Sequence, residues 1–238
     1  MKSKGFSLIE SLITLSLGLL ILMAVFEGFG MTRSFFLNLK KAQEEATAAM
    51  ACLDKLRIDL LHAGLGLALP LRYGIVDAVV QEGGGISIFS LEESYPIASD
   101  LGPGTTLVPL KSNAEFSAGR EICLIDGQKG ERKTVSSRPT KRTLVLNSAL
   151  EHSYDKDETH LFLLEKVFLY LDEGKNVIRR RVNASSPQPL LDDVASFHFS
   201  FEEKVNLIRI RFVMKSNEEK TYELSVFPKN PALVTPRF

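Results

Sequence analysis

The strongest constraint in this sequence is an apolar run close to its start. From Phe6 to Phe26 the chain holds 21 residues with a single charge, Glu10. A helix of that length spans about 31 Å, close to the roughly 30 Å hydrocarbon core of a bilayer. Lys2 and Lys4 precede the run, and a short basic end favours a cytoplasmic N-terminus. The sequence therefore predicts a transmembrane segment over residues 6–30, with the rest of the chain across the membrane.

A cleaved secretory signal peptide is the alternative interpretation of this run. Gly28 and Gly30 have the small-x-small spacing of a cleavage site. However, the run is long for a signal peptide, and a carboxylate at Glu10 is costly in an apolar segment. We therefore favour a retained anchor. A charge in such a segment needs a partner, and cutting the chain ahead of Phe6 would create an α-amine that could pair with Glu10.

The overall composition argues for a folded protein without a polyanionic partner. The chain has 45% hydrophobic and 24% charged residues, which is typical of globular proteins. Its 29 basic and 29 acidic residues give zero net charge, so we expect no nucleic-acid partner. Two cysteines, Cys52 and Cys123, cannot form a disulfide-rich scaffold, although one disulfide between them is an open alternative in an oxidising compartment.

A second helical pattern follows the apolar run and predicts a stalk helix over residues 31–64. Small and aliphatic residues recur at spacings of three and four, at Leu39, Ala42, Ala46, Ala49, Leu53, Leu56, Leu60 and Ala63. Gly64 stands where a C-cap glycine belongs. Gly18, Gly28 and Gly30 are expected weak points of the helix. We expect the C-terminal half of the seam to pack on the chain's own head domain.

Residues 65–238 have the pattern of a β-rich globular head, so the fold class is α+β. Apolar and polar residues alternate around Phe197–Phe201, Ile208–Met214 and Tyr222–Val226, which predicts half-buried antiparallel strands. Residues 160–171 and 176–182 resemble two strands joined by a hairpin turn. The stretch from 83 to 119 is rich in turn residues and receives no assignment.

No motif in the sequence indicates catalysis, so we expect no enzymatic activity, no cofactor and no metal. The acidic run at residues 151–160 could supply oxygen ligands, but it lacks the glycine and the ligand spacing of a calcium loop. A solvated acidic turn is favoured there. His198 is expected to face solvent. Arg179, Arg180 and Arg181 are expected at a solvent or partner-facing edge, since only alternate residues of a strand share a face.

The N-terminal sequence resembles the type IV prepilin processing signature. Gly5-Phe6-Ser7-Leu8-Ile9-Glu10 follows a short basic leader and precedes an apolar helix. The resemblance implies that residues 1–5 are a leader, that prepilin peptidase cuts between Gly5 and Phe6, and that Phe6 becomes N-methylated. Glu10 would pair with the amino terminus of a neighbouring subunit. The implied fold is a long helix, membrane-spanning in its first half, packed against an antiparallel β-rich head.

The second half is similar to PilW-like minor pilins and to the J-type minor pseudopilin of type II secretion. The similar segments are Val177–Arg181 and Pro189–Phe199 in the second half, together with Leu56–Gly64 at the end of the stalk. This resemblance implies a subunit that primes pilus assembly or lies at the pilus tip. Its partners would be other minor pilins, the major pilin, membrane lipid and the inner-membrane assembly platform. The subunit would be anchored in the inner membrane, with its N-terminus in the cytoplasm and its head in the periplasm. After assembly it would be part of the pilus.

Three other functions remain open at the level of sequence. A pseudopilin of a type II secretion system would have the same processing and the same apolar helix. A membrane-tethered periplasmic enzyme would need a cleft with converging titratable groups in the head. A metal-dependent adhesin would use the acidic run at residues 151–160.

Overall fold

The computed structural model describes residues 7–127, 129–202 and 205–232. These residues form three helices, α1 (Leu8–Leu61), α2 (Ala68–Arg72) and α3 (Lys229–Ala232). The first six strands are β1 (Val79–Glu82), β2 (Gly85–Pro96), β3 (Leu107–Pro109), β4 (Glu121–Ile125), β5 (Gly130–Thr140) and β6 (Thr143–Leu146). The other six are β7 (His160–Asp172), β8 (Val177–Val182), β9 (Gln188–Leu191), β10 (Val194–Glu202), β11 (Leu207–Met214) and β12 (Asn217–Val226). One long apolar N-terminal helix and an antiparallel β-rich head confirm the predicted α+β class.

Helix α1 is continuous over 54 residues. Gly18, Gly28 and Gly30, the expected weak points, all lie within it, and a Cβ at any of them would meet nothing within 4 Å. Gly64 has a φ of 71°, the left-handed conformation predicted for the residue after the helix end. The chain divides into two compact units inside this helix, Met1–Met50 and Ala51–Phe238. The last turns of α1 therefore belong to the same unit as the sheets.

The larger sheet of the second unit has nine strands in the described residues. Its order is β1-β2-β7-β4-β5-β6-β3, with β8 on β7 and β9 on β8, and all its pairs are antiparallel. Strand β7 pairs with β2 along one edge. Along its other edge, β4 pairs with His160–Leu163 and β8 pairs with Val167–Asp172. We call the intervening residues 164–166 the β7 fork.

The smaller sheet contains β10, β11 and β12 in that order, and it confirms the alternation in the sequence. Phe197 pairs with Phe212, and Phe212 pairs with Tyr222, whose ring stacks on it at a centroid distance of 5.2 Å. Phe212 is fully buried, whereas His198 on the opposite face is exposed as predicted. The alternation arises because one face of this sheet is in the core and the other faces water.

The predicted hairpin over residues 160–182 is also confirmed, as strands β7 and β8. Arg179 and Arg180, however, are not at an edge, because β8 pairs there with β7 on one side and β9 on the other. Arg179 Nε binds Asp172 at 2.7 Å, and Arg180 Nε binds Asp59 of α1 at 2.7 Å. The expectation of a solvent or partner-facing edge was therefore wrong for Arg179 and Arg180, which have partners within the chain.

The unassigned stretch from 83 to 119 contains the long strand β2 and the short strand β3. All six residues from Gly85 to Ser90 are buried, so their side chains show no alternation of polarity. The residues on either side of β3 also make two isolated pairings, Ile97 with Leu110 and Leu101 with Tyr154. This region is ordered by partners that are distant in sequence.

The end of α1 is buried in the second unit, as predicted for the C-terminal half of the seam. Leu56, Leu60 and Ala63 have no exposed surface, and Leu53 is 7% exposed. The turn after the helix pairs with β2, since Gly64 N–H donates to the Phe89 carbonyl at 2.7 Å. Burying each leucine contributes about 2 kcal/mol. The core of the head thus includes the last turns of its helix.

Candidate functional site

The described part of the N-terminal motif is a helix cap. Ser7 Oγ accepts the Ile9 N–H at 3.2 Å, and Glu10 Oε2 accepts the Ser7 N–H at 3.0 Å. This pair is a capping box in which the serine bonds the second helical N–H instead of the third, and it satisfies N–H groups that have no partner within the helix. Gly5 and Phe6, the predicted sites of cleavage and methylation, lie outside the described residues.

The capping box gives Glu10 a local role that the sequence interpretation missed. The signal was present, because serine followed three residues later by glutamate before an apolar run is the typical pattern. A carboxylate in the first helical turn is also stabilised by the positive end of the helix dipole. Glu10 is exposed, so its charge is accessible to another molecule as well. Capping and pairing between subunits are therefore compatible.

The first part of α1 exposes a continuous apolar surface. Every large hydrophobic side chain from Leu8 to Leu39 is more than half exposed. Two of its hydroxyls bond to the helix itself: Thr14 Oγ1 donates to the Glu10 carbonyl at 2.7 Å and Ser16 Oγ to the Ile13 carbonyl at 2.9 Å. Such bonds let polar side chains enter lipid without losing their partners. Within the described residues, α1 is the one helix long and apolar enough to cross a membrane.

The two cysteines are free and buried. Burial raises the pKa of Cys52 to about 12, and it likewise raises the pKa of Cys123 to about 12. Both therefore remain protonated thiols at neutral pH and are poor nucleophiles and metal ligands. The disulfide considered between them is not formed, so they contribute to the core as small apolar groups.

The acidic run at residues 151–160 is anchored by a carboxylate outside it, Glu131 on β5. Glu131 Oε1 accepts the His152 N–H at 2.8 Å and the Tyr154 hydroxyl at 3.1 Å, and Oε2 accepts the Glu151 N–H at 2.9 Å. Lys133 Nζ lies 2.9 Å from Oε2. Within residues 7–127, 129–202 and 205–232, no group of three or more acidic, histidine or cysteine side chains could hold a metal ion.

The pKa of the Glu131 carboxyl group is strongly lowered. Burial alone would raise the pKa of Glu131, but the Glu151 N–H, the Lys133 ammonium and the His152 groups lower it to about 2. A perturbed group of this kind is a candidate catalyst when it faces a substrate. Here both oxygens accept bonds from the protein, which favours a structural role for Glu131.

Comparison with known proteins gives no family for this chain. No protein-family model matches it, and no curated protein matches it. Among solved structures, the tailspike protein gp49 from Pseudomonas phage LKA1 is similar over 32% of this chain and 14% of that chain, with 21% identity and a TM-score of 0.28. The phage phi92 endosialidase is similar over 59% and 33%, with 11% identity and a TM-score of 0.20. The chain spans no more than 33% of either structure, and neither likeness bears on its fold or function.

Proposed function

We propose that this chain is a minor type IV pilin of the PilW-like kind, a structural subunit that primes pilus assembly or lies at the pilus tip. The observation that carries the proposal is the start of α1, where a capped, charged first turn precedes an exposed apolar helix. The sequence immediately before this turn resembles the prepilin cleavage site at Gly5 and Phe6. We propose in addition that the α+β fold is a pilin fold.

The apolar surface of α1 supplies the driving force for assembly. Its side chains from Leu8 to Leu39 are costly in water, at about 25 cal/mol per Å² of apolar surface. Before assembly, lipid covers this surface. In a fibre, the helices of neighbouring subunits cover it, so the subunit leaves the membrane without exposing the helix to water.

Glu10 supplies recruitment and register. After cleavage, the methylated amine of Phe6 on one subunit meets the Glu10 carboxylate of its neighbour. In an apolar environment an unpaired carboxylate is unfavourable, and pairing it with an amine offsets that cost. The Ser7–Glu10 capping box holds this carboxylate at the first turn of the helix.

The location and the partners of the subunit belong to the same proposal and rest on the basic N-terminal end and on the prepilin resemblance. The short basic end stays in the cytoplasm, α1 crosses the inner membrane, and the β-rich head lies in the periplasm. Prepilin peptidase, the assembly platform, the major pilin and other minor pilins are the partners. The head distinguishes among the pilins by its surface.

Two substitutions separate the charge of Glu10 from its capping role. Glu10→Gln keeps a side chain that can complete a capping box but removes the charge, whereas Ser7→Ala removes the serine cap and keeps the charge. We expect Glu10→Gln to reduce incorporation into fibres or the priming complex at least tenfold. Ser7→Ala should reduce it less than twofold. Immunoblotting of sheared fibres and of co-purified minor pilins measures both.

Processing and membrane insertion serve as controls for these variants. Mass spectrometry should show an amino terminus at Phe6 with one methyl group in the wild type and in both variants, and each protein should fractionate with the inner membrane. If Glu10→Gln assembles like the wild type, the pairing role is wrong. An intact Met1 terminus in a cell with active peptidase would contradict the whole proposal.

A further inference from the structure

The β7 fork is a gap in the hydrogen-bond ladder that side chains fill. The pairing of β4 with β7 ends at Leu163, and that of β8 begins at Val167. Between them, the Leu164 carbonyl accepts a bond from Arg120 at 2.9 Å. The Lys166 N–H donates to Asn183 Oδ1 at 2.8 Å. The Asn183 N–H also donates to the Lys166 carbonyl at 2.7 Å. The edge of β7 at the fork is therefore bonded by Arg120 and Asn183 instead of by a paired strand.

A cavity of about 150 Å³ opens at this fork, and its lining is cationic. Arg120, Lys166 and Arg181 contribute three positive charges, and Glu121 contributes one negative charge. Glu121 lies between two cations, since its Oε2 accepts a bond from Arg132 Nε at 2.6 Å and its Oε1 lies 4.0 Å from Lys166 Nζ. The lining thus has an excess of positive charge facing a small space.

The three cations differ in how their charge is balanced. Arg120 pairs with Glu92, and Lys166 Nζ lies 2.6 Å from Glu82 Oε1. Arg181 has no ion pair within residues 7–127, 129–202 and 205–232, and its guanidinium lies over the Phe168 ring at 5.3 Å from the centroid. Arg181 is therefore the lining cation whose countercharge the described chain does not supply.

Two buried donors without partners belong to residues that line this cavity, although neither donor atom is itself open to it. The Nε groups of Arg120 and Arg181 are both shielded from solvent and have no hydrogen-bond partner in the described protein. Arg120 is only 8% exposed as a residue. Buried polar groups without partners are rare in folded proteins and call for an explanation. Both of these donors belong to residues that line one cavity.

We propose that this cavity binds a small tetrahedral oxyanion of the phosphate or sulfate type. Guanidinium groups bind phosphate oxygens through charge-assisted hydrogen bonds, and the ammonium of Lys166 adds a further charge. A volume of about 150 Å³ is large enough to admit a single phosphate or sulfate group. The anion would balance Arg181 and join the ends of β4 and β8 at the fork.

The test is a titration of the full chain in neutral detergent with inorganic phosphate at constant ionic strength. Calorimetry should show one site, and at ten times the dissociation constant the melting temperature should rise by about 3–6 °C relative to chloride. Circular dichroism suits the melting experiment because the chain has no tryptophan. Sulfate should act like phosphate, and acetate should not.

Variants locate the anion. Arg181→Gln should weaken phosphate binding at least tenfold, and Lys166→Gln gives an independent test should the first variant fold poorly. The matched control is Arg209→Gln, because Arg209 is a strand arginine with a 41% exposed side chain that pairs with Glu202 at 3.3 Å. No binding beyond that of chloride, binding by acetate alone, or wild-type affinity in both cavity variants would each overturn the proposal.

Discussion

Glu131 is a single buried residue that fixes the course of a whole loop. Its carboxylate collects the N–H groups of Glu151 and His152 and the hydroxyl of Tyr154, all about twenty residues further along the chain. Tyr154, held in this way, pairs with Leu101 and orders a second loop. One ionised side chain therefore organises two connections that contain little regular structure.

Replacing Glu131 by glutamine should make the stability of the head depend less on pH. The folded-state pKa of about 2 lies below the usual 4.5, so the stabilisation is complete above pH 4.5 and is lost as the pH falls towards 2. We expect Glu131→Gln to lower the free energy of unfolding by about 2 kcal/mol at pH 7 and by much less at pH 2.5. Urea titrations at both pH values measure the difference.

The control for this variant is Glu115→Gln, which removes a carboxylate that is 80% exposed and 4.0 Å from Lys141. It should change the free energy of unfolding by less than about 0.5 kcal/mol at either pH. A loss in Glu131→Gln that is the same at pH 7 and pH 2.5 would show that the ionised form is not what stabilises the loop.

Gly66 is required for the close approach of the turn after α1 to strand β2. Its φ is +73°, and a Cβ there would lie 2.7 Å from Leu91 Cβ. Gly104 has a similar φ of +83° with open space around it. We expect Gly104→Ala to cost about 1 kcal/mol from backbone strain alone, and Gly66→Ala about 3 kcal/mol because the clash is added. Urea unfolding checks both, and equal losses would mean that Leu91 moves aside freely.

At the scale of elements, the sequence predicted the parts of the fold whose partners are close in the chain. Strands β7, β8, β10, β11 and β12 were predicted because each adjacent pair shares a hairpin and most show alternation. Strand β2 was missed because six consecutive buried residues leave no alternation to detect. The ion pair between Asp59 and Arg180 could not be predicted from the sequence, since 121 residues separate them. The spacing of apolar residues along a strand or helix shows which of its faces is buried, but not which distant element packs on that face.

The ion pair between Asp59 and Arg180 attaches the last turns of α1 to strand β8. Two bonds of 2.7 and 3.0 Å join the side chains, and Asp59 is 4% exposed. Arg180→Gln should lower the free energy of unfolding by about 3 kcal/mol, because it leaves a buried carboxylate with only the half-exposed Lys55, 3.2 Å away. Urea denaturation measures this loss.

A double variant distinguishes loss of the pair from loss of packing. Asp59→Asn combined with Arg180→Gln should recover part of the stability, since no buried charge then lacks its partner. Arg57→Gln, which removes an exposed pair with Asp54 on the same helix, should cost less than about 0.5 kcal/mol. If Arg180→Gln is no worse than Arg57→Gln, the ion pair does not hold the helix to the sheet.

At the scale of the whole molecule, the apolar surface and the folded core belong to different parts of the chain. The unit Ala51–Phe238 contains both sheets and the buried leucines at the end of α1, whereas the exposed apolar side chains of α1 from Leu8 to Leu39 lie before it. Most of the information for folding the head should therefore reside after the exposed segment. Whether an N-terminally truncated fragment folds should therefore depend on where within α1 it begins.

A fragment of residues 42–238 should be soluble, monomeric and cooperatively folded, whereas a fragment of residues 62–238 should not fold. The shorter fragment lacks Leu56 and Leu60, both fully buried, and each lost leucine costs about 2–5 kcal/mol. Their combined loss approaches the total stability of a domain, about 5–15 kcal/mol. Size-exclusion chromatography and urea titration followed by circular dichroism measure both properties. Aggregation of the longer fragment would mean that its core needs a helix from another chain, and cooperative folding of the shorter one would mean that the last turns of α1 are dispensable.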